Sequence, residues 1–280
     1  YAYQDWALAQ LAKELDKQED VDYFLQRAQN YRRLFDPESG YMRPRENDGD
    51  WREPFDPFEY QHGFVESNAA QMTWFVPQDF AGLAKLMGGR ETAVRRLDQA
   101  FREAEPMGFT SGKSHDQETR EQNRRIPINY GNQPSIQTAF IFNELGAPDL
   151  TQKWSRRVVD AVQSGLTPHT GYNGDEDQGL MGALAVLMKI GLFQPDGGVT
   201  PDPVYQVGSP AFDRIEIDLQ DRYYAGGTFT IIARENGAEN VYIQSATLNG
   251  EPLERRFLRH SEIMAGGTLE LLMGPEPAAD

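Results

Sequence analysis

Apolar positions along this chain follow two periods. Over roughly the first 190 residues they recur every three to four positions, and afterwards they alternate. Leu8, Leu11 and Leu15 stand at i, i+3 and i+7 with Trp6 nearby, which predicts an amphipathic helix from about residue 3. A second helix follows Asp20 as N-cap, its buried stripe marked by Val21, Phe24, Leu25, Ala28, Tyr31 and Leu34, and DPESG at 36–40 ends it. Residues 41–62 hold three prolines and no clear period, so they read as a long ordered loop, a class more often functional than not when rich in aromatics. Helical patterns resume over 68–74, 79–87 and 92–104, the last with Val94, Leu97, Phe101 and Ala104 on one face. Residues 111–125 carry no large apolar side chain and predict an exposed loop. Further helices are expected over 134–143, 149–166 and 180–190. The last is apolar almost all round and is therefore expected to be buried on most sides.

After FQPDGGVTPDP the pattern changes to strands: VYQVG, FDRIEIDL, TFTIIAR, NVYIQSATL and TLELLMG. Asn236-Gly237 and Asn249-Gly250 mark turns, the second a tight hairpin. The expected organisation is helical hairpins over 1–195 and an antiparallel β-rich segment over 196–280. Recurrent helical hairpins can close into an α/α toroid whose loops build a pocket at one end.

Composition narrows the function. The net charge of −16 argues against nucleic acid or an anionic membrane surface as partner, because both need a basic face. No apolar run approaches the roughly 20 residues of a membrane-spanning helix. The chain has no cysteine, so neither disulfides nor thiol chemistry arise, and the compartment stays open. Its first residues already read as helix, so a preceding segment is expected.

Two stretches carry candidate chemistry. GFVESNAAQMTWFVPQDFAGL, residues 63–83, holds a lone carboxylate, Glu66, among Phe64, Val65, Asn68, Gln71 and Trp74, with no cation close in sequence. GYNGDEDQGLMGALAVL, residues 171–187, places Asp175, Glu176 and Asp177 before an apolar helix, whose dipole and free amides favour ionised acids. One isolated, desolvated acid and one ionised acid suit glycoside hydrolysis with inversion, where a proton donor and a base activating water flank the scissile bond, about 6.5–9.5 Å apart. The ordinary reading of both is helix-start capping. Three acids in a row exceed what a cap needs, and glycines at 174 and 179 let backbone approach a ligand. The run NGDEDQG is not an EF-hand, since the sixth and twelfth positions counted from Asn173 hold Gln178 and Leu184. In INYGNQPSIQTAFIFN, residues 128–143, Tyr130, Asn132 and Gln133 form a polar turn suited to sugar hydroxyls or a hard cation; a plain turn and cap is the simpler alternative. Histidines 62, 115, 169 and 260 lack metal-ligand spacing, and Trp51, in the long loop, is the best candidate to stack on a sugar ring.

Taken together, YAYQDWALAQLAKEL, FLQRAQNYRRLFDPESGYMRPR, GFVESNAAQMTWFVPQDFAGLAKLMGG, YGNQPS, GYNGDEDQG, VYQVGSPAFDRIEIDL and TFTIIARENGAENVYIQSATLNGEPL with GGTLELLMGPEP resemble the C-terminal portion of glycoside hydrolase family 92, the calcium-dependent exo-acting α-mannosidases. The resemblance runs over nearly the whole chain. It implies an N-terminal β-sandwich followed by an (α/α)6 toroid, of which this chain would hold part, with the smaller β region after it. It implies Glu66 as general acid and Asp177, supported by Asp175, as general base. Asn68, Gln71, Trp74, Asn132 and Trp51 would contact substrate. Calcium near Asn132 and Gln133 would bind the 2- and 3-hydroxyls of a terminal mannose. The substrate would be a mannose-containing oligosaccharide or N-glycan, α-1,2-linked by preference, and the protein would be exported. The family commonly has E-G-N where Glu66-Ser67-Asn68 stands, glutamate at the place of Gln133, and a histidine pair at Ile136-Gln137. Alternative readings are a non-catalytic carbohydrate-binding relic of the same fold, another toroid glycosidase, or a sugar phosphorylase, although no basic phosphate site lies near Asp175–Asp177. Seven or so helices cannot close a twelve-helix toroid, so the chain is expected to need the N-terminal β-sandwich portion as its partner.

Overall fold

A computed structural model of the chain describes residues 1–112, 117, 120–167, 171 and 177–278. It falls into two compact units, residues 1–138 with 165–176, and residues 139–164 with 177–280. The change from helix to strand near residue 192 therefore lies inside the second unit rather than between units.

The first unit opens with α1 (Ala2–Glu14) and α2 (Gln18–Ala28). Both helices are where the periodicity puts them, but the buried face of α1 is not the leucine stripe. α1 buries Asp5, Ala9 and Ala12, and Leu8, Leu11 and Leu15 are 44, 55 and 59% exposed. Small residues let the two helices approach closely, and Arg27 of α2 donates from Nε to Asp5 Oδ1 at 3.0 Å. Asp20 lies in the first turn of α2 and Lys17 takes the cap position. A short hairpin, β1 (Phe35–Asp36) with β2 (Tyr41–Met42), leads into the long segment before α3 (Ala69–Met72), where one bridge joins Arg45 to Trp51.

α4 (Phe80–Leu86) is capped by Asp79, whose Oδ1 accepts from the amide of Gly82 at 2.8 Å. The other oxygen accepts from Tyr31 at 2.7 Å and Arg32 at 2.8 Å, so one carboxylate ties this helix to the segment after α2. Glycine at 82 leaves this network its room: a Cβ there would meet the side-chain ends of Asp79, Arg32 and Tyr31 at 2.2–2.4 Å, so they would have to shift. α5 (Arg90–Ala104) buries Ala93, Leu97, Phe101 and Ala104, and Phe101 packs against Phe109 and Tyr130. Within 111–125, the described part of the expected loop contains a helical turn, Glu121–Arg124.

The second unit begins in the helix Thr138–Glu144 and continues through Pro148–Val162 and Leu180–Ile190. Its strands are β3 (Leu192–Phe193), β4 (Val204–Val207), β5 (Arg214–Asp218), β6 (Thr228–Arg234), β7 (Tyr242–Leu248), β8 (Glu251–Pro252), β9 (Phe257–Arg259) and β10 (Gly267–Gly274). They form a five-stranded sheet ordered β5-β6-β10-β7-β8 and a three-stranded sheet ordered β3-β4-β9. The larger sheet is mixed rather than antiparallel throughout, because β10 inserts parallel to β6 and antiparallel to β7. The Asn249-Gly250 hairpin joins β7 to β8 with both residues at positive φ, as the two-residue turn requires. Alternate residues Phe229, Ile231 and Ala233 of β6 and Leu269, Leu271 and Met273 of β10 fill the core together with Leu192, Ile243, Leu258 and Ile263.

Helix Pro148–Val162 is fastened to this core by polar side chains. Gln152 accepts from the amide of Ile243 at 2.8 Å, and buried Arg156 donates to the carbonyls of Pro210 and Gly237 and to Asn236. All three acceptors are neutral, and burial lowers the affinity of the Arg156 guanidinium for its proton. Leu180–Ile190 is less enclosed than its composition predicts. Among its residues Met181, Leu184 and Met188 are buried, while Val186 is 57% exposed.

Candidate active site

Glu66 is presented by strained backbone. It has φ 51°, in the left-handed region that costs a residue with a Cβ about 1–2 kcal/mol. Such strain persists only where the surroundings over-determine it. Here they do. The amide of Gln61 donates to the carbonyl of Ser67 at 2.8 Å, and Asn132 Nδ2 donates to the carbonyl of Glu66 at 2.7 Å. Ser67 is fully buried, and its hydroxyl donates to Gln71 Oε1 at 2.9 Å.

Asn68 and Gln71 complete the support. Asn68 caps α3 by accepting from the amide of Gln71 at 3.0 Å, and donates to the carbonyls of Arg124 and Ile126 at 3.0 and 3.2 Å. Gln71 Nε2 also donates to Ile126 at 2.8 Å. Both side chains are buried and their amides are directed into the protein, so they brace Glu66 rather than line open space. Trp74 is buried as well, with its carbonyl facing Gln137 at 3.4 Å. The Glu66 side chain is exposed, not desolvated as its sequence neighbours suggest, and no hydrogen bond or ion pair engages its carboxylate among the described residues. Arg125, in the segment whose carbonyls Asn68 and Gln71 hold, pairs with Asp56 at 2.9 Å, and Arg124 lies over the ring of Tyr60 at 4.3 Å.

The polar turn at 129–135 divides into a buried and an accessible half. Tyr130 is fully buried, and Asn129 is a local organiser that sequence reasoning missed: its Oδ1 accepts from the amides of Gly131 and Ser111 at 3.0 and 3.2 Å, while its own amide donates to Ser135 Oγ at 3.0 Å. Asn132 and Gln133 are partly exposed. Asn132 Oδ1 accepts from the amide of Gln133 at 2.9 Å and starts the turn Gln133–Ser135. The sequence signal for this support is weak, because Ser, Asn and Gln fill ordinary caps just as readily.

Trp51 is half-buried, with the Arg45 guanidinium 3.4 Å from its ring centroid and that of Arg43 at 5.7 Å, so cations already occupy ring surface that a sugar would need. A cleft of about 450 Å³ beside α5, lined by Tyr41, Phe58, Trp74, Arg96, Asp98 and Glu103, does not include Glu66.

Asp177 belongs to the second unit. It is exposed and also has a left-handed backbone, φ 55°, followed by Gln178 at 59° and Gly179 at 97°, immediately before Leu180–Ile190. Asp175, Glu176 and His169 lie outside the described residues, as does His115. His62 pairs with Glu59 at 3.4 Å and His260 stacks on Tyr205.

Calcium takes six to eight oxygen ligands, usually including carboxylates. The oxygen of Asn132 is already bonded to an amide and Gln133 is neutral. Among the described residues no cluster of three or more acidic, histidine or cysteine side chains could hold a metal. The residues at Asn132 and Gln133 do not by themselves fit the ion.

The sequence matches the profile of the glycosyl hydrolase family 92 catalytic domain over residues 1–275. It is 29% identical, over its whole length, to an uncharacterized secreted glycosidase of Arthroderma benhamiae, and covers 35% of that protein. The structure superposes with a TM-score of 0.82 and 30% identity on a family GH92 α-mannosidase of Bacteroides thetaiotaomicron solved with mannoimidazole, covering 99% of this chain and 35% of that one. A family GH92 inverting mannosidase from the same species gives a TM-score of 0.81 and 34% identity over 99% of this chain and 37% of its own. The chain thus spans about a third of the length of these relatives. The fold class expected from the sequence stands: a mainly helical part of the (α/α)6 type, then a smaller β region.

Proposed function

The chain belongs to glycosyl hydrolase family 92, and from that premise we propose that it is the C-terminal portion of an exo-acting α-mannosidase that cleaves terminal α-mannosides of mannose-rich glycans. The observation that carries this reading is the presentation of Glu66. An accessible carboxylate without a partner among the described residues is held on left-handed backbone by Asn132 and by a buried lattice of Ser67, Asn68 and Gln71.

Glu66 donates a proton to the oxygen leaving the anomeric carbon. Asp177, with Asp175, takes a proton from the water that attacks the opposite face of that carbon. The C–O bond to the leaving sugar breaks as the bond to water forms, and the configuration inverts. α-1,2-linked mannose is the proposed preference, and export is the proposed location, in keeping with the secreted glycosidase to which the chain is similar. No helix among the described residues is long and apolar enough to cross a membrane.

The proposed partner is the polypeptide equivalent to the remaining part of the longer relatives, including the N-terminal β-sandwich. Two surfaces of the first unit support it: the leucine face of α1, and an apolar groove of about 370 Å³ lined by Tyr3, Tyr31, Leu34, Phe64 and Phe75. The test of function is hydrolysis of α-1,2-mannobiose by the chain and by the longest protein that carries it. Glu66→Gln should cut turnover roughly 100- to 10,000-fold, the share a general acid supplies. A Glu66→Gln protein that hydrolyses the disaccharide at the original rate sinks the assignment.

A further inference from the structure

We propose that Asn132 is a positioning residue for the acid: its Nδ2 holds the carbonyl of Glu66, keeps that residue in the left-handed conformation, and so sets where the carboxyl delivers its proton. This deepens the reading of Glu66 as general acid and rests on it.

The argument starts from the unusual backbone. Glutamate does not adopt φ 51° without compensation, since its Cβ meets the following carbonyl. Relaxing to a right-handed or extended conformation would turn the side chain away from its present direction. The hydrogen bonds to Ser67, Asn68 and Gln71 fix the chain on the C-terminal side of Glu66. They leave the Glu66 carbonyl itself to one described side chain, Asn132, 66 residues further on and 2.7 Å away. That bond spans two loops that share no regular secondary structure, so it closes the frame around the acid.

Asn132 is suited to this because its two ends do different work. Oδ1 accepts from the amide of Gln133 at 2.9 Å and fixes the amide plane, and Nδ2 is thereby aimed at Glu66. With both ends engaged by the protein's own backbone, the side chain acts on the reaction through Glu66 instead of through a sugar hydroxyl. Aspartate at 132 would keep the acceptor for Gln133 and lose the donor for Glu66, which separates the two jobs. Alanine removes both.

The experiment compares wild type, Glu66→Gln, Asn132→Asp and Asn132→Ala on two substrates, in the longest protein that carries the chain. α-1,2-Mannobiose has a poor leaving group and needs the acid; 2,4-dinitrophenyl α-mannoside leaves without protonation. With Glu66 as acid, Glu66→Gln loses turnover on the disaccharide and keeps it on the aryl mannoside. Both Asn132 variants should then show the same selectivity, with kcat on the disaccharide down roughly tenfold to a hundredfold, KM within about twofold, and aryl turnover nearly unchanged. Equal losses on the two substrates, or a change confined to KM, would mean that Asn132 touches substrate directly and would overturn the proposal.

A second readout needs no turnover. The ¹³Cα and ¹³Cβ shifts of Glu66, measured with labelled glutamate in the longest protein that carries the chain, report its backbone conformation. They should move out of the left-handed range in both Asn132 variants while the spectrum elsewhere stays folded. Unchanged shifts overturn the positioning role even if Glu66 proves to be the acid. Conversely, a Glu66→Gln protein that keeps full disaccharide turnover discards the acid assignment, and the shifts alone then judge the bond.

Discussion

The leucines of α1 and those of β10 look alike in the sequence and end in opposite places. In β10, Leu269 and Leu271 alternate with polar or exposed neighbours and are wholly buried in a core built from the unit's own strands. In α1, Leu8, Leu11 and Leu15 repeat at helical spacing and face outward, while alanines and an Asp5–Arg27 ion pair make the contact with α2. Periodicity reports that an element has an apolar face. Which face is covered depends on what packs against it. The sheet supplies its own cover. The hairpin leaves its leucines 44–59% exposed among the described residues, in keeping with the proposed contact with further polypeptide.

The sharpest break between the two regions is therefore the same substitution in each. Leu271→Ala should cost about 2–5 kcal/mol of unfolding free energy in chemical denaturation, because it opens a cavity in a closed core. The next largest effect is expected where the core is fastened by polar groups. Arg156→Met should destabilise by about 1–3 kcal/mol, since it strands the carbonyls of Pro210 and Gly237, and the same melts would show it.

A pH effect separates the regions more gently. Asp36 of the hairpin β1–β2 is buried, which opposes its charge, yet the Ser39 hydroxyl, the Glu38 and Ser39 amides and the Arg43 guanidinium hold its carboxyl below the ordinary range. A carboxyl lowered in the folded state contributes stability above its unfolded pKa of about 3.9, and that contribution disappears as pH falls through the folded value. Thermal melts over falling pH should show the loss in wild type and a flatter profile in Asp36→Asn. The smallest effect belongs to α1: Leu11→Ala should change the stability of this chain by no more than about 0.5 kcal/mol. A cost like that of Leu271→Ala would show that the leucine face is covered in the chain alone.

Much of the fold was legible in the sequence. Every strand read from the alternation is present, because an alternating pattern buried on one side admits one register. The parallel pairing of β10 with β6 was not legible, since sheet order depends on contacts distant in sequence. The apolar helix Leu180–Ile190 was expected to be enclosed and is covered on one face, for the same reason that α1 is inverted: composition does not name the neighbour. At the candidate site, the motif around Glu66 and the turn at Asn132 were both visible, but their connection was not. The resemblance implies that Asn68 and Gln71 contact substrate; in the structure their amides donate to the carbonyls of Arg124 and Ile126, a pairing across more than 50 residues that no local pattern encodes. Left-handed backbone at Glu66 was equally hidden, because glutamate is not among the residues that favour it and φ there is imposed by tertiary contacts.

The most direct test of the central claim follows the anomeric protons of mannose by NMR as α-1,2-mannobiose is hydrolysed by the longest protein that carries this chain, with and without Glu66→Gln. The account predicts that β-mannose appears first and that Glu66→Gln slows its release roughly 100-fold or more. α-Mannose as the first product, or undiminished release by Glu66→Gln, would contradict it.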